Sequence, residues 1–157
     1  MHDKEIFLKE SIKLAEKNLS TNNGGPFGAV VVKQGKIIGR GINTVTSTND
    51  PTAHAEVNAI RDACNNLNTF QLEGCEIYCS CEPCPMCLGA IYWARPKKLF
   101  FASNRVDAAQ AGFDDSRIYE EIKLDFKDRK IETQYIPLKE GKELFEAWKI
   151  KENKTNY

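Results

Sequence analysis

Three equally spaced cysteines, in the stretch SCEPCPMC at residues 80–87, constrain this chain more than any other feature. Such spacing fits a disulfide framework, an iron–sulfur loop or a set of thiolates that hold one metal ion. The amino-terminal stretch MHDKEIFLKE is too charged for a signal peptide, so we expect a cytosolic protein. Because disulfides are rare in a reducing cytosol, we interpret the clustered cysteines as metal ligands or catalytic groups.

The two prolines of the stretch predict different local structures for the three cysteines. Pro85 is typical of the first turn of a helix, which makes Cys84 the predicted N-cap and brings Cys87 to the same turn. The positive end of the helix dipole there favours thiolates. Cys81 instead precedes Pro83, which favours extended chain, so we expect Cys81 at the end of a strand and outside the metal site.

Two thiolates are too few for zinc, which normally takes four ligands. The chain has two histidines, and His2 lies in a terminus expected to fray, so His54 is the predicted third ligand. Three protein ligands leave one position for water, as in catalytic zinc sites. Glu56 can serve the same site only if His54 stands at or before the first helical residue, because residues two apart diverge by about 200° on a helix.

Other metal chemistries remain open at this stage. Cys81 as a fourth ligand would make the zinc site structural, and a C-x-x-C pair also occurs in redox proteins. An iron–sulfur cluster would need Cys64, Cys75 or Cys79 as a further ligand and would leave the HAE stretch at residues 54–56 unexplained. We expect these three cysteines, with Cys81, to pack as small buried apolar side chains.

Hydrophobic periodicity predicts helices that alternate with strands after an initial hairpin, in one α/β domain over residues 1–157. No apolar run approaches the roughly 20 residues of a membrane-spanning helix. The predicted helices cover about 4–19, 54–67, 85–94 and 139–151; the strands flank Gln34-Gly35 and cover 75–80, 97–102 and the stretch ETQYIPL at 132–138.

The charges of the chain balance, with 22 basic and 22 acidic side chains. Proteins that hold a phosphate backbone usually carry a basic surplus. The balance therefore favours a small neutral substrate and makes nucleic acid an unexpected partner.

HAE at 54–56 followed by PCPMC at 83–87 resembles the zinc-dependent cytidine deaminase superfamily. The resemblance implies a three-layer α/β/α sandwich with a central five-stranded mixed sheet. It also implies that His54, Cys84 and Cys87 hold Zn²⁺ and that Glu56 moves protons during a hydrolytic deamination.

GGPFGAV at 24–30 and GIN at 41–43 resemble the purine-acting branch of that superfamily. This implies that Asn43, Phe27 and Ala55 contact a purine base, and an amide suits a purine edge because it donates and accepts at once. The alternatives are that Asn43 caps a turn and that Phe27 fills the core.

NDPTAHAEVNAIR, SCEPCPMCLGAIYWARP, DAAQAGFDDS and the terminal NY are similar to guanine-acting members. That similarity implies attack of zinc-bound hydroxide on C2 of guanine, which yields xanthine and ammonia in purine catabolism. It also implies a homodimer in which a carboxyl-terminal segment, about 139–157, is exchanged between subunits.

The same similarity implies substrate contacts for Asp115, Trp93 and Tyr157. A carboxylate such as Asp115 would accept hydrogen bonds from guanine N–H groups, whereas adenine presents an unprotonated N1 there. The alternatives are that Asp115 or Asp114 caps a helix, that Trp93 packs in the core and that Tyr157 is a disordered chain end.

Two other functions stay open. Transfer-RNA adenosine deaminases share the zinc motifs but typically have CAMC where this chain has CPMC, and they lack a comparable AGFDDS. A non-catalytic module stabilised by zinc is the second alternative.

Overall fold

The computed structural model describes residues 2–157, and side chains from Lys4 onward, so the side chain of His2 lies outside the description. The chain folds into two compact units, one that ends at Asp115 and one that covers Ser116–Tyr157. Each unit is described by itself.

The first unit is built on a four-stranded mixed sheet in the order β2-β1-β3-β4. β1 pairs antiparallel with both β2 and β3, and β3 pairs parallel with β4. The β1–β2 hairpin turns at Gln34 and Gly35, as predicted, with φ of 51° and 74°. The strands are β1 (Gly28–Lys33), β2 (Lys36–Ile42), β3 (Glu76–Cys81) and β4 (Lys98–Ser103).

Helices cover both faces of this sheet, which gives the first unit three layers. Buried side chains of β1 and β3 alternate between the faces, as the two-residue period of a strand requires. One face packs against α3 and α4, and the other packs against α1. The helices of this unit are α1 (His2–Glu16), α2 (Val45–Thr48), α3 (Ala55–Leu67), α4 (Pro85–Ala94) and α5 (Arg105–Gln110), with a 3₁₀ turn at Lys17–Ser20.

α3 lies unusually close to β2 because small residues face each other there. A Cβ atom on Gly41 would stand 2.0 Å from the carbonyl oxygen of Ala55 and 2.4 Å from the nitrogen of Ala59. Both alanines are fully buried. The start of α3 is therefore held against the sheet at a distance that only glycine in β2 permits.

The fifth strand, expected at ETQYIPL, does not form in the described residues. Residues 132–138 have no ladder partner, and the sheet has four strands instead of five. Tyr135, Ile136 and Leu138 are exposed. Thr133, Tyr135 and Ile136 are residues that favour a strand, but a strand needs a neighbour to complete its hydrogen bonds, and local composition does not supply one.

The second unit contains α6 (Ser116–Lys123), a 3₁₀ turn (Phe126–Asp128) and α7 (Lys139–Ile150). α7, predicted at 139–151, has no buried residue and exposes the apolar side chains of Leu144, Phe145 and Trp148. In residues 2–157, no helix combines the length and apolar character that crossing a bilayer requires.

Candidate metal centre

Two helix N-termini form the centre, each through its N-cap residue. His54 caps α3 in an extended conformation, with φ −70° and ψ 156°. Cys84 caps α4 with φ −65° and ψ 168°, and Pro85 is the first helical residue. The N-cap prediction for Cys84 is confirmed, and His54 stands before the first helical residue, as a site shared with Glu56 requires. Two residues that are two apart within a helix point in directions about 200° apart. Because His54 precedes its helix, this rule does not apply to it, and its side chain can face the same site as that of Glu56.

Three ligand atoms from these helix starts lie close together. His54 Nδ1 is 3.5 Å from the Cys84 sulfur and 3.4 Å from the Cys87 sulfur. All three atoms lie within 4.8 Å of one another. A tetrahedral zinc ion, with Zn–N of about 2.05 Å and Zn–S of about 2.3 Å, holds nitrogen and sulfur roughly 3.6 Å apart. The group therefore fits one zinc ion.

Glu56 lies beside this group and is buried, with 7% of its surface exposed. Its Oε2 accepts a hydrogen bond from the Cys87 thiol at 3.4 Å. Burial raises the pKa of Glu56 above the usual range of a glutamate. A carboxylate with a raised pKa is suited to exchange protons near neutral pH.

The two sulfurs differ in their proton affinity. Side-chain hydrogen bonding with Cys87, and also with His54, lowers the pKa of Cys84 to about 4. The same bond to Cys84, together with burial, raises the pKa of Cys87. The hydrogen bond with Cys84 also raises the pKa of His54. The two thiols are coupled, so without a metal ion Cys84 is the more acidic of the pair, whereas metal binding requires both as thiolates.

Cys81 lies outside the ligand group. Its sulfur donates to the carbonyl oxygen of Asn104 at 3.5 Å, and burial raises its pKa to about 11. Cys75 and Cys79 are buried as predicted, Cys64 is half-buried, and no cysteine forms a disulfide in residues 2–157. The described group thus offers three protein ligands.

Asn43 follows β2 and is buried. Its Oδ1 accepts from the Val45 N–H at 3.1 Å, so it does cap a turn, which was the alternative to base binding. An amide oxygen accepts twice and the NH₂ group donates twice, so the cap uses only part of this capacity. Gly24 packs so tightly on Asn43 that a Cβ atom there would lie 2.1 Å from Oδ1.

Phe27 and Ala55 line the same region of the first unit. Phe27 is half-buried against the α3 side of the core, and its ring meets that of Phe113 edge to face, with centroids 4.9 Å apart. Ala55 is fully buried as the first residue of α3. Phe113 was missed as an individual residue by the sequence analysis, although it lies in the AGFDDS motif that was noted there.

Asp115 is half-buried, and Asp114 is exposed. Burial raises the pKa of Asp115, and the negative charge of Cys84 raises it further. The charge of one predicted metal ligand therefore affects the ionisation of this carboxyl group. Trp93 is 66% exposed, which contradicts the alternative that it packs in the core: α4 buries Cys87, Ile91 and Ala94 instead. Tyr157 belongs to the second unit and is 70% exposed.

A His–Cys–Cys group and a buried glutamate at the starts of two helices define one class of protein, the zinc-dependent nucleobase deaminases. The chain belongs to the family of the cytidine and deoxycytidylate deaminase zinc-binding region, which matches residues 1–103. Zinc is therefore the metal for which this site is built.

Several relatives cover most of the chain. It is 55% identical over 153 residues to the guanine deaminase of Bacillus subtilis (strain 168), with 98% of each chain covered. The X-ray structure of guanine deaminase from Bacillus subtilis superposes with a TM-score of 0.95 over 98% of each chain. The tRNA-specific adenosine deaminase of Aquifex aeolicus (strain VF5) is 38% identical over 141 residues, which is 90% of each chain.

Proposed function

We propose that the protein is a zinc-dependent guanine deaminase that hydrolyses guanine to xanthine and ammonia. The observation that carries the proposal is the 55% identity to a guanine deaminase over nearly the whole chain, in a protein whose His54, Cys84 and Cys87 fit zinc. We also propose a place in the cytosol, where free cysteines persist.

Zinc in such a site acts as a Lewis acid that lowers the pKa of water to about 7. Glu56 is the proposed proton carrier. It takes a proton from the attacking water as the new C–O bond forms at C2, and it delivers that proton to N3. It then carries the proton of the hydroxyl group added at C2 to the exocyclic amine, so that the C2–N bond breaks, the C2=O bond of xanthine forms and ammonia leaves. The burial of Glu56 beside Cys87 supports this role.

Two polar side chains are proposed to recognise the base. The Asn43 amide group donates to a ring acceptor of the purine, and its second lone pair remains able to accept. Asp115 accepts from the N–H groups of guanine, and its electrostatic contact with Cys84 supports a place near the metal centre. Phe27 supplies an apolar wall for the base, and Ala55, at the start of α3, adjoins the ligand His54.

We further propose a homodimer in which the segment of about 139–157 is exchanged. The apolar face of α7, formed by Leu144, Phe145 and Trp148, supports this, because exposed patches of this kind mark interfaces. Trp93 would lie near the subunit junction, and Tyr157 would help to close the partner's site. A mixture of Glu56→Gln and Tyr157→Ala copies tests this, because an exchanged hybrid contains one intact site and regains activity.

A transfer-RNA adenosine deaminase is the second candidate, favoured by the relative in Aquifex aeolicus. The zero net charge argues against it, since folded RNA attracts basic surfaces. A structural zinc module would need a fourth ligand, and the bond of Cys81 to Asn104 argues against that.

The deciding experiment is ammonia release by the purified zinc-loaded protein from guanine, adenosine, cytidine and folded transfer RNA. We expect release from guanine at a rate far above that of the other three. Preferential release from transfer RNA would replace the proposal with the second candidate, and no release from any substrate would support the structural module.

A further inference from the structure

Asn58 lies in the first turns of α3, and its side-chain amide faces three hydrogen-bond acceptors. Its Nδ2 lies 2.9 Å from the Ile42 carbonyl oxygen, 3.1 Å from the Thr44 hydroxyl and 3.3 Å from the Ala53 carbonyl oxygen. Carbonyl oxygens only accept, so the group that faces them has to be the NH₂ of the amide. Asn58 thus acts as a donor toward two separate loops.

One of these loops carries the proposed base-binding residue. Ile42 and Thr44 are the two chain neighbours of Asn43, so Asn58 bonds to the backbone just before Asn43 and to the side chain just after it. The other loop carries the metal ligand, since Ala53 directly precedes His54. A backbone bond from the Thr44 N–H to the Ala53 oxygen, at 3.0 Å, joins the same two loops.

We propose that Asn58 is a positioning residue that keeps Asn43 in register with His54, and thereby sets the affinity of the site for its purine base. The second half of this statement rests on the proposed function; the first half does not. The Asn58 side chain bonds neither to a metal-ligating atom nor to a proposed substrate contact, so it acts through the loops that it joins.

The chemistry explains why an amide suits this position. The acceptors of two loops converge on one point, and an NH₂ group offers two hydrogens from one atom. An alanine would leave the Ile42 oxygen and the Thr44 hydroxyl without this donor, and partly buried acceptors without donors shift toward water. The loop at Asn43 would then move relative to α3.

The same helix offers a matched control. Asn66 also lies on α3, and its Nδ2 donates to the carbonyl oxygen of Ile38 in β2 at 2.9 Å. Both asparagines therefore tie α3 to the β2 region by the same kind of bond, and Asn→Ala changes helix propensity equally at both. Asn66 lies two turns further from the metal centre.

Amide hydrogen exchange tests the positioning directly, in zinc-loaded protein without substrate. The reporters are the N–H of Thr44, bonded to Ala53, and the N–H of Val45, bonded to Asn43 Oδ1. We expect Asn58→Ala to speed exchange at both by about tenfold or more, and Asn66→Ala to leave both unchanged. Equal effects of the two variants, or no effect of Asn58→Ala, would overturn the proposal.

Steady-state kinetics test the consequence for binding. We expect Asn58→Ala to raise KM for guanine about tenfold with zinc content unchanged, and Asn66→Ala to leave KM alone even if it lowers Tm. Asn58→Ser keeps one donor, so its KM should lie between those of the wild type and Asn58→Ala. If Asn58→Ala does not fold, Asn58→Ser becomes the main variant and Asn66→Ser becomes its control. Loss of zinc with an unchanged Asn43 loop would show that Asn58 supports only the metal loop, against the proposal.

These measurements distinguish failure of the proposed function from failure of the proposed positioning role. If the wild-type protein releases no ammonia from guanine but the exchange effect appears, the proposed function fails and the positioning stands. If guanine is deaminated normally and Asn58→Ala changes neither exchange nor KM, the positioning fails alone.

Discussion

His54 Nδ1 and Cys84 Sγ lie 3.5 Å apart although the two residues are 30 positions apart in the sequence, and each is the N-cap of its own helix. α3 and α4 pack on the same face of the sheet, so their first turns meet. The metal site therefore depends on the packing of two helices as much as on its ligands, and the following predictions test both.

Replacing Glu56 by Gln should leave zinc bound and lower kcat for guanine by about a thousandfold, because the amide cannot carry the proton. Xanthine formation and metal analysis of the same sample measure both quantities. Glu73→Gln, an equal change at an exposed glutamate of the first unit, is the control and should behave as wild type. Xanthine production at the wild-type rate would remove Glu56 from the mechanism.

Serine substitutions at the three cysteines should differ in how much zinc the purified protein retains. Cys84→Ser and Cys87→Ser each remove one of three protein ligands, so we expect loss of most of the bound zinc. Cys81→Ser should keep it, because the Cys81 sulfur bonds to Asn104. Zinc loss in the Cys81 variant would instead indicate a fourth protein ligand and a closed site.

Removing zinc with a chelator should abolish activity and lower Tm, because an ion that binds only the folded state stabilises it, by about 4 kcal/mol at a thousandfold excess over Kd. Adding zinc back should restore both. The Cys87→Ser protein provides the comparison, since its Tm should respond little to the chelator. An unchanged Tm and full activity after verified metal removal would contradict the zinc-dependent mechanism.

Asp115 and its neighbour Asp114 should differ in their effect on guanine. Asp115→Asn removes a charged acceptor for guanine N–H groups, which corresponds to a loss of about 10- to 100-fold in kcat/KM. Asp114→Asn, one residue away and more exposed, should change kcat/KM by less than about threefold. The opposite order would assign the base contact to Asp114.

Gly41→Ala should destabilise the first unit by about 1–3 kcal/mol or more, because the new methyl group meets the backbone of Ala55 and Ala59. The displaced start of α3 should also weaken zinc binding. Gly89→Ala is the matched control: its Cβ meets nothing within 4 Å on an exposed face of α4, so a gain of up to about 1 kcal/mol is expected. Thermal unfolding with metal analysis distinguishes them, and equal Tm values would refute the close packing.

Local signals made much of the fold predictable. Pro85 marked the start of α4, Gln34 and Gly35 marked the hairpin, and a short run of apolar residues marked β3. Each of these features depends on neighbours within a few residues. The strand predicted at 132–138 was wrong because a strand must pair with a second strand, and residues close in sequence do not determine whether that partner is in place.

Trp93 shows the same limit within a helix. MCLGAIYWA is apolar on almost every side, so no face is marked as the buried one, and the packed structure turns Trp93 outward. Similarly, no local pattern indicated that Asn58 would reach two loops or that Phe113 would meet Phe27. These contacts join residues far apart in the chain.

The amino-acid sequence alone determined which side chains can serve as zinc ligands and where their helices begin, because ligand chemistry and helix capping act over a few residues. Only the tertiary structure decided that Nδ1 is the nitrogen of His54 that faces the two sulfurs and that Glu56 lies against Cys87. Those outcomes follow from the packing of two helices against one sheet, which sets distances between groups that the chain order leaves about 30 residues apart.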